Sequence, residues 1–153
     1  MSKSNRRSFM GKGAAVAAAG VAAAVPAVAK EKQPMRVEHW ENGKKPEGPQ
    51  LYCPAVSYGN LLFLSGIGYH KEGDIKVHTK GVLDQIKAKL ESCGSSMNKV
   101  LKCQVYLADL KDYAAMNEVF KGSFGDEPPV RTTVSVAGVP GNSLVEIDVI
   151  AFI

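Results

Sequence analysis

One arginine of this chain stands where its guanidinium could bind a carboxylate. Beyond residue 29 the sequence has 13 lysines but only two arginines, Arg36 and Arg131. Residues 130–136 alternate in a way that predicts a strand, with the valines on one face and Arg131 on the other. A guanidinium holds a carboxylate through two parallel hydrogen bonds, which an ammonium group cannot do. An exposed strand arginine paired with a nearby acid would produce the same pattern.

Two carboxylates alternate with aliphatic residues in the last predicted strand. Glu146 and Asp148 point to the face opposite Val145, Ile147 and Val149. A carboxylate in this position could orient a water molecule and accept its proton, which is the work of a general base. A solvated strand face accounts for the alternation equally well, so both interpretations stay open.

Two further residues could contact a small polar molecule. Ser65 and Gly66 are predicted to end a strand, where a glycine lets a ligand or another backbone come close and a hydroxyl could hold a polar atom. Ordinary turn chemistry would need the same two residues. Tyr52 lies in a loop flanked by prolines, where it could close over a pocket or simply pack.

The cysteines and histidines do not indicate a metal site or an obligatory disulfide. The three cysteines are odd in number and scattered, and the three histidines lack the spacing of zinc ligands. Cys93 and Cys103 are therefore predicted to be core residues.

The elements that must position these residues follow from the hydrophobic pattern. Strands are predicted over 35–40, 55–58, 61–65, 100–107, 130–137 and 144–153, and the Gly59-Asn60 pair predicts a hairpin. The spacing of Val82, Ile86, Leu90 and Cys93 predicts a helix that ends at Gly94. A second helix is capped by Asp109 and buries a set of apolar residues, namely Tyr113, Met116, Phe120 and Phe124.

This order, β-β-β-α-β-α-β-β, predicts an α+β fold in which both helices pack on one face of a mixed sheet. Two helices cannot easily cover both faces of such a sheet, so the pattern also favours an oligomer.

Composition and charge narrow the function classes. The chain has 153 residues, of which 45% are hydrophobic and 22% charged, which is typical of a soluble globular protein. The net charge of +4 comes from residues 1–29, so residues 30–153 are neutral. A neutral body lacks the basic surface that nucleic-acid binding requires.

Residues 1–29 are predicted to be an export signal. Arg6-Arg7 is close to the twin-arginine pattern, an apolar run covers 13–25, and Ala27-Val28-Ala29 would permit cleavage before Lys30. The protein is then expected in the periplasm or outside the cell, as a single domain over 30–153. The apolar run is too short to span a bilayer, so no stable membrane insertion is expected after cleavage. An uncleaved anchor or an alanine-rich tail remains the alternative.

Taken together, the motifs of the chain are similar to those of a known family. The chain resembles the Rid family, the reactive intermediate (enamine/imine) deaminases of the YjgF type. The matching motifs run in order through nearly all of 30–153: Gly48-Pro49, Tyr52, Ala55-Val56, 59–66, Gln85, Leu90-Glu91, Gly94, 105–110, 113–120, Pro129-Val130-Arg131-Thr132, 145–147 and Ile150-Ala151.

The resemblance implies a chorismate-mutase-like fold assembled as a homotrimer, with clefts between subunits. It implies hydrolysis of enamines and imines, such as 2-aminoacrylate and its imine, to a 2-keto acid and ammonia, without a cofactor or metal. Arg131 would bind the substrate carboxylate and Glu146 would orient the water, while Tyr52, Ser65 and Asn117 would bind substrate.

Alternative functions and departures from the family also follow from the sequence. The same scaffold could be a non-catalytic trimeric binder of small carboxylates. A ribonuclease-like role, known for some relatives, conflicts with the neutral charge of 30–153. Ile67 stands where many members have glutamine, and Gln50-Leu51 is an insertion before Tyr52, so both changes are expected to affect the choice of substrate.

Overall fold

The structure is a computed structural model that describes residues 33–153. The predicted export signal over 1–29 lies outside the described residues. No helix within 33–153 is both long enough and apolar enough to cross a membrane.

A six-stranded mixed sheet forms the framework. Its strands, in chain order, are β1 (Arg36–Glu38), β2 (Ala55–Tyr58), β3 (Leu61–Gly68), β4 (Val100–Leu107), β5 (Val130–Ser135) and β6 (Val145–Phe152). In the sheet they lie in the order β1-β2-β3-β6-β4-β5. Within 33–153 the β4–β5 pair is parallel, and the other four pairs are antiparallel. β5 is therefore an edge strand, and β6 lies near the middle of the sheet.

Two α-helices, α1 (Ile75–Ser92) and α2 (Tyr113–Phe120), pack on one face of this sheet. Asp74 starts α1 because its side chain accepts a hydrogen bond from the Val77 amide at 3.0 Å. Gly94, with a φ of +80°, follows the helix and adopts the left-handed conformation predicted for it. The predicted α+β architecture is confirmed.

The core lies between the helices and the sheet face that they cover, here called the covered face. It contains the predicted apolar side of α1 together with alternate residues of the central strands, including Leu62, Val105 and Ile147, all at most 1% exposed. Cys103 belongs to this core, and burial raises the pKa of its thiol to about 12. Cys93 is half-buried at the end of α1 and packs against the core.

The opposite sheet face, here called the open face, carries no helix of residues 33–153. Its side chains alternate with the core residues and include Phe63, Tyr106, Glu146 and Asp148, of which Phe63 is 40% exposed. A large apolar side chain exposed on a flat face favours contact with another protein surface.

The second helix differs from the prediction at both ends. Asp109 does act as a cap, but it accepts from the Lys111 amide and starts a short 3-10 turn over Leu110–Asp112, which then leads into α2. Phe124 is buried although it lies beyond the helix. The prediction that Tyr113 is buried is wrong, because its ring is 42% exposed on the side of α2 that faces β5.

A buried histidine connects α1 to the segment before β6. His78 is 3% exposed, and its Nδ1 accepts a hydrogen bond from the Leu144 amide at 3.1 Å. Its ring also packs edge-on against Tyr69, with 5.5 Å between the centroids. This contact links helix packing to the position of the strand that carries Glu146.

We expect His78→Phe to lower the free energy of unfolding by about 1–3 kcal/mol. Phenylalanine keeps the aromatic packing but leaves the Leu144 amide without its acceptor. Urea unfolding of the full chain, compared with the exposed control Val77→Ala, would measure the effect. Equal stability of His78→Phe and the wild type would contradict this role of the hydrogen bond.

Candidate active site

Ser65 and Gly66 form a bulge within β3. The pairing of β3 with β6 shifts between Leu64 and Ile67, and the strand then continues to Gly68. The prediction that Ser65-Gly66 ends a strand is therefore wrong, because β6 is long enough to pair with β3 on both sides of the bulge. Ser65 donates from both its amide and its hydroxyl to the Pro54 carbonyl, at 3.0 and 3.2 Å. The bulge is thereby tied to the loop that carries Tyr52.

The carboxylate of Glu146 packs directly against the bulge. Gly66 has no side chain, and any Cβ at this position would collide with the Glu146 carboxylate. Glycine thus permits the observed close approach between a backbone and a charged group, and a larger residue would displace the Glu146 carboxylate. No ion pair of residues 33–153 involves Glu146, so the carboxylate is free to hold a water molecule.

The other carboxylate of β6, Asp148, is already occupied. It accepts hydrogen bonds from the Tyr106 hydroxyl at 3.3 Å and from the Gln104 amide at 3.3 and 3.4 Å. Burial, and then the nearby Asp148 and Glu146 carboxylates, raise the pKa of Tyr106. The phenol therefore stays protonated and donates to Asp148, which leaves Glu146 as the carboxylate of this strand that is available for chemistry.

Tyr52 lies on an exposed loop and is 65% exposed. Together with Ser65 and Gly66 it lines a groove of about 920 Å³ that also reaches α1. Glu146 does not line this groove and contacts Gly66 from the open face. We call Tyr52, Ser65, Gly66 and Glu146 the glutamate half-site.

Arg131 lies elsewhere, beneath α2. Its Cζ lies 4.5 Å from the Phe120 ring centroid and 5.8 Å from that of Tyr113, and its Nη2 donates to the Tyr113 hydroxyl at 3.4 Å. No carboxylate among residues 33–153 pairs with it. Aromatic faces orient a guanidinium without neutralising its charge. The fork of Arg131 is therefore free for an external anion.

Asn117 belongs to the same region. It lies four residues after Tyr113 and three before Phe120 on α2, so it shares their side of the helix. Its side chain is half-buried. We call Tyr113, Asn117, Phe120 and Arg131 the arginine half-site.

A single chain does not bring the two half-sites together. Arg131 lies opposite Cys103 in the sheet register and thus on the covered face, whereas Glu146 lies opposite Tyr106 on the open face. β4 also separates their strands, which places β5 and β6 about 10 Å apart. Both half-sites reach the surface, so a second copy of the chain could complete each of them.

Two contributors to the half-sites were missed by sequence reasoning. Phe120 and Tyr113 were interpreted as core residues, whereas Gly66 was expected to allow a close approach. The spacing of Tyr113, Asn117 and Phe120 on one helix side was a usable signal. The contact of Tyr113 and Phe120 with Arg131 could not be predicted from the sequence, because it depends on how α2 crosses β5.

Thr133 is an unusual neighbour of Arg131. Two residues along β5 on the same face, its Oγ1 is the one buried side-chain oxygen or nitrogen within 33–153 that lacks a hydrogen-bond partner. A buried hydroxyl without a hydrogen-bond partner has lost its hydration, and no hydrogen bond within the protein compensates for that free energy.

Thr133→Val should therefore raise the free energy of unfolding by about 1 kcal/mol, since valine has the same shape without the hydroxyl. Thermal unfolding at several protein concentrations would measure it, with the exposed neighbour Thr132→Val as the control. A loss of stability in Thr133→Val alone would mean that the hydroxyl is bonded in the assembled protein.

The described part of the chain contains no cluster of side chains suited to bind a metal ion. No three histidine, cysteine or acidic side chains of 33–153 come close enough together to hold a metal ion.

Comparison with known proteins places the chain in a family. The sequence profile of the endoribonuclease L-PSP family matches residues 43–153. A RutC family protein of Pyrococcus horikoshii is 44% identical over 119 residues, which cover 73% of this chain and 93% of that protein. A 2-iminobutanoate/2-iminopropanoate deaminase of the mite Dermatophagoides farinae is 34% identical over 127 residues, covering 78% and 98%.

A solved structure has the same fold as this chain. The crystal structure of RidA from the Antarctic bacterium Psychrobacter sp. superimposes with a TM-score of 0.64 at 36% identity, and the match covers 71% of this chain and 93% of RidA. The order of strands and helices is thus shared with a Rid protein. The chain belongs to the endoribonuclease L-PSP family, which is the Rid family that its motifs resemble.

Proposed function

We propose that this protein is a hydrolytic deaminase of small imino acids, and that it converts 2-aminoacrylate and 2-iminopropanoate to a 2-keto acid and ammonia. The observation that carries the proposal is Arg131, whose guanidinium is held by two aromatic rings and pairs with no acid within 33–153. An imino acid supplies the carboxylate that such a fork recognises. The relative named as a 2-iminobutanoate/2-iminopropanoate deaminase supports the same substrate class.

The active site would be completed between chains. The glutamate half-site of one protomer would face the arginine half-site of its neighbour in a homotrimer. The opposite sheet faces of Glu146 and Arg131 favour this arrangement over a site within one chain. Phe63 and other half-exposed residues of the open face would gain burial in the same contact.

The chemistry needs little more than positioning. Arg131 of one chain would bind the substrate carboxylate and place the C=N carbon beside Glu146 of the other. Glu146 would accept a proton from water as its oxygen adds to that carbon, which gives a carbinolamine. The balance requires that the imine nitrogen enters protonated, so that the carbinolamine is neutral. Return of the proton to its nitrogen, with loss of the hydroxyl proton to Glu146 as the C–N bond breaks, would release ammonia and leave the keto acid. Ser65 and Asn117 would orient polar atoms of the substrate, and Tyr52 would limit access of bulk water.

The decisive experiment is ammonia release by the full chain from enzymatically generated 2-iminopropanoate, measured against spontaneous hydrolysis. We expect a rate that rises in proportion to protein concentration. Binding of pyruvate or propionate without any acceleration would instead favour the alternative, a non-catalytic binder of small carboxylates.

A further inference from the structure

The groove beside the glutamate half-site contains a cation that the proposed reaction does not use. Lys89 projects from α1 into this groove and is half-buried there. Its ammonium donates one long hydrogen bond, 3.4 Å, to the His39 carbonyl. It forms no ion pair with any residue of 33–153. An ammonium has three donors, so at least two are left for a ligand.

The acids of the groove do not neutralise Lys89. Glu38 is engaged by Arg36, by the Trp40 indole N–H at 2.8 Å and by Lys45, and these contacts lower its pKa to about 2. Glu41 is exposed at the rim, where solvent screens its charge. Within 33–153, Lys89 is the one lysine or arginine that lines the groove, and no acid there pairs with it.

Part of the groove lining is apolar and could contact an aliphatic chain. Trp40, Tyr52, Pro54, Ile67 and Ala88 line the groove together with the polar groups. The length can be estimated from the register, because the His39 amide bonds to Ala55, and Ala55 lies opposite Leu64, next to Ser65. His39, which Lys89 contacts, and Ser65 in the bulge are therefore two interstrand spacings apart, about 10 Å. A methyl group would leave most of this space empty.

We propose that the groove binds the side chain of the substrate, and that the preferred substrates are imino acids with a side chain of several carbons ending in a carboxylate. This inference rests on the proposed function, and it extends that function by naming the substrate class. The α-carboxylate would meet Arg131 of the neighbouring chain, and the distal carboxylate would meet Lys89. A charge-assisted hydrogen bond at this end would discriminate against uncharged side chains.

The test compares two imines of equal chain length, generated by an amino-acid oxidase from 2-aminoadipate and from norleucine. We expect a lower KM for the imine from 2-aminoadipate. Lys89→Met should raise that KM about tenfold and leave the KM of the norleucine imine nearly unchanged. Lys87→Met, on an exposed position of the same helix, is the matched control. An equal effect of Lys89→Met on both imines would overturn the proposal.

A binding measurement keeps this test separate from the deaminase proposal. Calorimetry with adipate and with hexanoate needs no turnover, and we expect adipate to bind more tightly to the wild type but not to Lys89→Met. Equal affinities in the wild type would refute the groove assignment even if the protein hydrolyses 2-iminopropanoate. Preferential adipate binding without catalysis would support it and would count against the deaminase.

Discussion

Arg131→Ala should lower kcat/KM for 2-iminopropanoate by about 10²–10³-fold. The substitution removes both hydrogen bonds to the substrate carboxylate. The rings of Phe120 and Tyr113 can move into the space that the guanidinium leaves, but they do not replace its paired hydrogen bonds. Arg131→Lys keeps the charge but not the fork, so we expect it to recover only part of the loss. Steady-state ammonia release measures both. The exposed Lys111→Ala controls for the loss of a positive charge, and an Arg131→Ala enzyme with normal kcat/KM would exclude the carboxylate-binding role.

The same variant tests whether each site is shared between chains. Arg131→Ala and Glu146→Ala homo-oligomers should both be inactive, but mixing them after reversible dissociation should restore about a quarter of the wild-type activity. In a randomly mixed ring, each interface has one chance in four of receiving an intact Arg131 and an intact Glu146. Native mass spectrometry would verify subunit exchange. An inactive mixture with proven exchange would place both residues in the site of one chain.

Glu146→Gln should lower kcat by about 10²–10³-fold with little change in KM. Glutamine is close in size to glutamate and can still sit against Gly66, but it cannot accept the proton of the attacking water. Because the loss is one of proton transfer, it should appear in kcat and not in the binding of a keto-acid product.

Asp148→Asn is the matched control, since Asp148 lies on the same strand and face but is hydrogen-bonded to Tyr106 and Gln104. We expect it to change kcat less than tenfold. Size-exclusion chromatography of both variants would check that assembly is retained. Similar losses in the two variants would show that general charge on the open face, and not Glu146 in particular, supports the reaction.

Much of the fold was predictable because its signals are local. The observed β4 begins and ends at Val100 and Leu107, as predicted, because a central strand is bounded by where its apolar pattern stops. The buried side of α1 follows from its four-residue spacing for the same reason. Tyr113 was misassigned because helix spacing identifies one side of α2 but not whether that side meets the core or the edge strand.

The half-sites were only partly predictable. Arg131 and Glu146 were selected by residue type and alternation, and alternation correctly separates each from its strand neighbours. The bulge at Ser65-Gly66 could not be predicted, since a bulge is a property of two paired strands and requires the register of β3 with β6. The free state of Arg131 likewise depends on which rings and acids other elements bring to it.

The sequence by itself determined which residues could do chemistry, which elements carry them and to which family the chain is similar. Only the tertiary structure decided that Arg131 lies on the covered face and Glu146 on the open one. The physical reason is that alternation assigns side chains to two faces of a strand without saying which face the helices cover. On β5 the covered face carries Arg131 and Thr133, while Val130 and Val134 remain exposed. That choice, set by how an edge strand pairs beneath α2, is what keeps the two half-sites apart within one chain.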